Sequence, residues 1–483
     1  MKLKWSKPII LCFSFCVLVL LSRGQSVRPL HLSDNREIFV DHYLIDSLRN
    51  VRLIMHHPID KGPVFYFNKP WEGPFCNYAT VIKDGDYYRL YYRGTPGGKD
   101  GDSTEVTCLI ESKDGIHWER PDFKLFKRFN SYNNNIILTN APPSSHNFSP
   151  FIDRNPAAQK DQQYKALALG RGGLLAYTSP DGIHWKKLDD APVITQGAFD
   201  SQNVSFWSTT EHRYICYFRT WTKGKFKGIR TVSRVTSSDF IHWSAPQEMT
   251  FGNTPLENIY IQQTSPYFRA PQLYLAIGAR FMPNREVVSS LEAKRLHVNP
   301  NYYKDCSDVV LMSTRGGNAY ARTFMESFIR PGIGLDNWVS RTNYPALNVV
   351  PTGTDEMSIY LVQDYAQPTI HLERYTLRLD GFTSINAPYQ GGELITKSFI
   401  FSGKQLEINY STSAAGDIKI GIEDANGTSI PGFGLEQSDI IIGNEIQRVV
   451  SWNGASDIHQ LAGKPIRLIF SMKDADLYSF KFD

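Results

Sequence analysis

Long apolar runs are what the body of this chain lacks: past Leu21 no stretch approaches the ~18 consecutive apolar residues of a membrane helix. A helical span is therefore excluded there. Cysteine is scarce as well. Cys12 and Cys16 lie in the N-terminal apolar run, and Cys76, Cys108, Cys216 and Cys306 are scattered with no CxxC pair. That pattern excludes a zinc site of CxxC type and a dense disulfide scaffold, and leaves buried thiols or one or two bridges open. Charge bias is small, a formal +4 over 483 residues, and no Lys/Arg run interleaves with aromatics, so nucleic acid is not an expected partner. Amphipathic helical periodicity is nearly absent, and an all-β chain is expected.

What is present begins with Lys2, Lys4 and Lys7 ahead of an apolar run from Pro8 to Leu21, followed by the small residues Ser22 and Gly24. This reads as a cleaved signal peptide over residues 1–24, so the mature protein is expected to be secreted or periplasmic, without membrane contact after cleavage. Aromatics are plentiful, with 25 Tyr, 28 Phe and 9 Trp, a mixture that suits β-strands and the stacking of sugar rings.

Alternating β-branched and aromatic runs recur, as in ATVIKDGDYYRLYYRG at 79–94, YKALALGRGGLLAYTS at 164–179 and HRYICYFRTW at 212–221. In the first, Asp84-Gly85 between two runs is a hairpin signal. A tag follows such hairpins: ESKDGIHW ending at Trp118, SPDGIHW ending at Trp185 and SDFIHW ending at Trp243, with a weaker relative, GLDNW, ending at Trp338. Separations of 67 and 58 residues suit four-stranded propeller blades, and the loop-rich segment 283–307 supplies the excess in the last, 95-residue interval. A unit repeated in every blade reads as turn and packing chemistry rather than catalysis.

Inner strands are expected after Cys76, Asn147, Asn203, Glu257 and Glu356. The segments 36–45 and 51–57 are expected to complete the last blade and close the ring. Past Phe382 short strands with Gly-rich turns read as a β-sandwich. The expected architecture is thus a five-bladed β-propeller over 35–382 and a β-sandwich over 383–483.

On this tag spacing and layout, the chain resembles the five-bladed propeller glycosidases of families 32, 43, 68 and 117, and in particular exported family-32-like bacterial proteins. The resemblance implies a glycoside hydrolase whose substrate is a carbohydrate. It also implies an Asp at the start of the first inner strand, yet Asn77 stands there, and an amide cannot act as general base. Asn147-Phe-Ser-Pro150 replaces the family's Arg-Asp-Pro. The tag also loosely resembles the sialidase Asp-box, but its Gly follows Asp directly, which counts against a sialidase.

Hydrolysis of a glycoside needs two carboxyl groups flanking one bond. Acids at inner-strand starts converge at the mouth of a propeller, which nominates Asp200, Glu257 and Glu356 as catalytic, with Asp41 brought in by ring closure; Asp153, Glu326 and Asp355 form a second tier. Arg93, Arg171, Arg219 and Arg280 end strands that return to the mouth, with Arg269, Arg315 and Arg322 nearby. Such guanidinium groups suit carboxylated or sulfated sugars, or else pair with the acids and hold blades together. Asn77, His146, Arg93, Arg219, Arg269 and Arg280 are the expected substrate-binding residues, and Trp71, Trp207 and Trp221 are candidate stacking platforms. No cofactor is implied, and nothing in the spacing demands a calcium ion in the axial channel. A non-catalytic carbohydrate-binding propeller and a lyase acting on polyanionic polysaccharides are the competing readings.

Overall fold

The computed structural model describes residues 28–483 apart from 225 and 340. The expected signal peptide lies outside the described residues. No described helix is long and apolar enough to cross a membrane.

Five antiparallel sheets make the blades. The first runs from Asn77–Asp84 through Tyr87–Gly94 and Val106–Ser112 to Trp118–Glu119. The second and third follow the same plan, with inner strands Ser149–Ile152 and Val204–Ser208. In the fourth, the inner edge is Ile259–Ile261 and Thr264–Tyr267, paired with the long Ala270–Met282. Its second and third strands are joined across the mouth by the 283–305 insertion, where helix Ser290–Arg295 is started by a Ser289/Glu292 capping box. The blade axis is filled by amides: Gln263 donates to Gln202 and to the Pro345 carbonyl, and Gln202 donates to Thr80.

The tag does turn and packing work in three blades. Asp114 Oδ1 accepts the N–H groups of Ile116 and His117, each at 2.8 Å, and Ser112 Oγ accepts that of Gly115 at 2.9 Å. The same bonds recur at Asp181 and Asp239. Trp118 is buried with its edge toward Tyr360 of the neighbouring fifth blade, at 5.7 Å. Tyr91 of blade one donates to the Gly182 carbonyl of blade two at 3.1 Å, and Tyr360 of blade five to the Gly115 carbonyl of blade one, so the first two tags also fasten a blade to its neighbour. Large apolar side chains buried in this way stabilise by about 1.5–3 kcal/mol each.

Two expectations about the ring are corrected. The strand that closes the fifth blade is Ile59–Tyr66, paired with His371–Arg378. The earlier segments, Glu37–Ile38, Ile45–Arg49 and Arg52–Met55, pair instead with the C-terminal sheet, so residues 35–57 belong to the sandwich. Glu356 starts the second strand of its blade, because the inner edge is the short pair Tyr344–Pro345 and Val350–Pro351.

The sandwich is organised on two long strands, Leu406–Asp424 and Ile466–Phe482, whose alternate residues bury Ile408, Ile420, Leu468 and Phe480. It meets the propeller around Asp380, which is fully buried. Asp380 accepts from Tyr267 at 2.8 Å, Ser479 at 2.6 Å and Asn409 at 3.1 Å, and pairs with Arg269 at 3.0 Å and Arg36 at 3.5 Å. Cys76, Cys108, Cys216 and Cys306 are buried free thiols.

Candidate functional site

Strand direction decides which acids can meet. Inner strands descend from the mouth and second strands climb back, so inner-strand starts, second-strand ends and the loops between second and third strands share one face.

Asn77 and Arg93 open and close the first hairpin at that face and stand opposite each other in register. The register slips between Asn77 and Thr80, and Tyr78 within the slip has φ 53°, a left-handed conformation costly for a residue with a bulky side chain. The bulge turns the Tyr78 ring into the mouth. It packs 5.5 Å from His146 and lies under Arg93, and its hydroxyl donates to the Asp200 carbonyl at 3.2 Å. Strain of this kind persists where the surroundings enforce it and clusters at functional sites.

Arg93 is the hub. Its Nη1 lies 2.9 Å from Asp100 Oδ1, 3.0 Å from His146 Nδ1 and 3.6 Å from Glu105 Oε1, while Nη2 donates to the Phe75 carbonyl and to Tyr365. Glu105 is nearly buried; it accepts the Gly101 N–H at 2.8 Å and holds His146 Nδ1 at 2.9 Å. Asp100 also takes Arg341 at 3.1 Å and the Tyr302 hydroxyl at 3.2 Å. Burial would raise the Asp100 carboxyl, but the charges of Arg93, His146 and Arg341 outweigh it and hold the group below the usual carboxylate range.

Asp200 faces this cluster from blade three. Its side chain is 46% exposed and pairs with the buried Arg219. The turn that carries it is clamped by two amides: Asn147 donates to the carbonyls of Phe199 and Ser201, and so does Asn203. Both partners are acceptors, so an Asp in place of Asn147 would set a carboxylate against two carbonyl oxygens. The clamp therefore requires an amide rather than an acid at position 147. Glu105, His146 and Asp200 together line one cleft of about 350 Å³, and Asp200 also lines an adjoining cleft of about 300 Å³.

The other candidates lie elsewhere. Both oxygens of Glu257 are taken, by Arg280 at 2.7 Å and Arg322 at 3.0 Å, and Arg280 also grips Asp308. This network binds the edge of blade four, so neither Glu257 nor Arg280 is brought to the cleft. Glu356 pairs with Arg374 on the opposite face. Asp41 pairs with Arg315 at the end of a descending strand, beside Glu37 and the sandwich. Arg269 belongs to the Asp380 junction. Asp153, at the foot of its strand, is buried against Lys165 and Tyr214. Asn77 is buried, and its Oδ1 accepts the Tyr78 N–H at 2.8 Å, which supports the bulge.

Asp100, Glu105, Tyr78, Tyr302 and Arg341 were not foreseen. Asp100 and Glu105 sit in TPGGKDGDSTE, which reads as a solvated Gly-rich turn. Its only signal is that the loop is longer than a hairpin needs.

Asp100, Glu105 and His146 bring ligand atoms within 4.8 Å of one another, the geometry of a candidate cation site. Arg93 stands among all three and supplies the positive charge there, so the group is already balanced by the protein's own side chains.

No family model matches this chain. An uncharacterized protein of Mycobacterium tuberculosis strain H37Rv is 28% identical over 149 residues, covering 29% of this chain and 44% of that protein; the same figures hold for its counterpart in strain CDC 1551. The chain thus spans less than half the length of these curated relatives. Among solved structures, the chain is similar to a glycoside hydrolase at TM-score 0.44 and 12% identity, covering 67% of this chain and 92% of that one. It is also similar to a family 43 arabinoxylan arabinofuranohydrolase from Bacillus subtilis (TM-score 0.41, 10% identity, 86% and 96% covered). An N-acetylgalactosamine deacetylase from F. plautii gives 0.42 and 13%, covering 68% and 96%. The activities named belong to those proteins.

Proposed function

We propose that this is an exported glycoside hydrolase whose reaction takes place in the cleft between Glu105–His146 and Asp200. The observation that carries the reading is that these three groups, from three different blades or loops, line one cleft at the propeller mouth. Glycosidic cleavage needs a proton for the leaving oxygen and a carboxylate on the side of the anomeric carbon. Asp200 is the exposed carboxylate. His146, oriented by Glu105, is the group suited to carry the proton, since an imidazole ring can both accept and donate one. Tyr78, against His146 and the Asp200 carbonyl, and Tyr302, bonded to Asp100, brace these groups from behind. Export is supported by the charged and apolar N-terminus.

The test is incubation of the mature chain with a polysaccharide panel, following reducing ends and, in parallel, absorbance from unsaturated products. Release of reducing ends, abolished in Asp200→Asn and Glu105→Gln, is the expected result. Unsaturated products would replace hydrolysis by elimination.

A second reading, carbohydrate binding without cleavage, is favoured by one observation: Asp100, Glu105, Asp200 and Glu257 at the mouth are all ion-paired to arginine. Glycan retention without product of either kind would establish it.

A further inference from the structure

Three guanidinium groups converge on one ring beside the cleft. The Cζ atoms of Arg219, Arg230 and Arg341 lie 5.1, 5.4 and 5.8 Å from the centroid of Tyr260. Arg219 gives Nη2 to Asp200, but its Nε and Nη1 are buried without a hydrogen-bond partner among the described residues, in a side chain only 4% exposed. Arg341 reaches Asp100, and its Nε is likewise buried and has no partner among the described residues. Arg230 has no carboxylate among the described residues. Its guanidinium lies over Trp221 at 4.4 Å and near Phe281 at 4.9 Å, and its Nε is buried without a hydrogen bond. The Tyr344 hydroxyl, in a fully enclosed residue whose ring packs 5.0 Å from Tyr260, also has no partner among the described residues.

A protein does not ordinarily gather like charges and bury unpartnered donors without something to meet them. The charges can be paired off: Asp200 with Arg219, Asp100 with Arg341, Glu105 with Arg93. Arg230 is left over, one positive charge. The missing group is therefore a single anion with several acceptor lone pairs. Flat guanidinium forks resting on aromatic faces match a planar carboxylate.

We infer that Arg230, with the free edges of Arg219 and Arg341 and the Tyr344 hydroxyl, forms a subsite for the carboxylate of an acidic sugar. The mouth then takes carboxylated glycans in preference to neutral ones. The inference rests on the proposed function only in naming the ligand a sugar.

The experiment is calorimetric titration of the mature chain, and of Arg230→Gln and Arg230→Lys, with oligogalacturonides and oligoglucuronides. Their carboxyl-reduced counterparts and sulfated neutral oligosaccharides serve as the other arms. Acidic probes are expected to bind at least about tenfold tighter than reduced ones, a gap that Gln erases and Lys partly keeps, with unchanged melting temperature. Equal affinity for acidic and reduced probes, preference for the sulfated arm, discrimination that survives Arg230→Gln, or no acidic probe bound up to about 10 mM would each overturn the subsite. The readout is independent of cleavage. Acidic probes bound but not hydrolysed would sink the proposed reaction and leave the subsite standing, whereas hydrolysis of neutral glycans with no acidic preference would do the reverse.

Discussion

Asp380 and Asp200 are both aspartates gripped by arginine, at opposite faces of the same propeller, and they differ in how completely they are satisfied. Asp380 is wholly buried, with five partners drawn from the propeller and the sandwich. Asp200 has one arginine partner among the described residues, is nearly half exposed, and sits among donors that no described residue meets. A pair closed on every side holds two domains together. A pair left open has capacity for a ligand. Charge pairing by itself therefore does not separate structure from function in this molecule; the exposure of the paired carboxylate does.

The comparison can be broken in five places. Asp380→Ala should have the largest effect, about 3–5 kcal/mol of lost stability, because it strands Arg269 without a counter-charge and leaves Arg36 only the more distant Glu407, at 3.9 Å; urea unfolding against wild type measures it. Asp200→Asn should cost clearly less stability than Asp380→Ala, because its carboxylate is nearly half exposed even though buried Arg219 loses its counter-charge, yet lose about 100-fold or more in turnover of whichever glycan is cleaved. A stability loss at Asp200 comparable with that at Asp380 would erase the distinction between the two faces.

Gly182→Ala should cost about 1–3 kcal/mol in melting experiments. Its φ is 76°, and a Cβ there would lie 2.6 Å from the Tyr91 hydroxyl. Asp181 provides a smaller, pH-dependent term. Desolvation works to raise its carboxyl, but hydrogen bonds from His184, Ile183 and Ser179 prevail and push it down to about 2. A depressed carboxyl stabilises the fold above its unfolded value near 3.9 and loses that contribution as pH falls toward 2. The unfolding free energies of wild type and Asp181→Asn should therefore differ by at most about 1 kcal/mol at pH 7, given the exposure of the group, and converge near pH 2. Glu356→Gln, on the face away from the cleft, should leave turnover within about twofold. A large loss there would return catalysis to that face.

Much of the fold was legible because its signals are local. Asp114, Gly115 and Ser112 make their turn with neighbours two or three residues away, so the tag marks blades wherever it recurs. Ring closure is ambiguous in the sequence because the segments 36–57 and 59–66 are both strand-like, and only long-range pairing assigns one to the sandwich and the other to the fifth blade. Glu356 was misplaced for a related reason. The true inner edge of its blade is interrupted by Pro345 and Pro351, which cannot donate to the ladder, so the first regular alternation belongs to the second strand. Of the acids named at strand starts, Asp200 alone is carried into the cleft; Asp100 and Glu105 arrive from a loop whose composition resembles a solvent-exposed turn.

The sequence by itself determined the all-β character, the blade count, the turns that punctuate the blades and the presence of a second, sandwich domain, since alternation and turn chemistry act over a few residues. Tertiary structure decided which arginine meets which acid. Arg219 lies 19 residues from Asp200, Arg93 lies 53 residues from His146, and Arg341 reaches Asp100 across 241. Such pairs depend on ring closure and strand direction, and the donors left unmatched after closure are what mark the mouth as a place for a ligand.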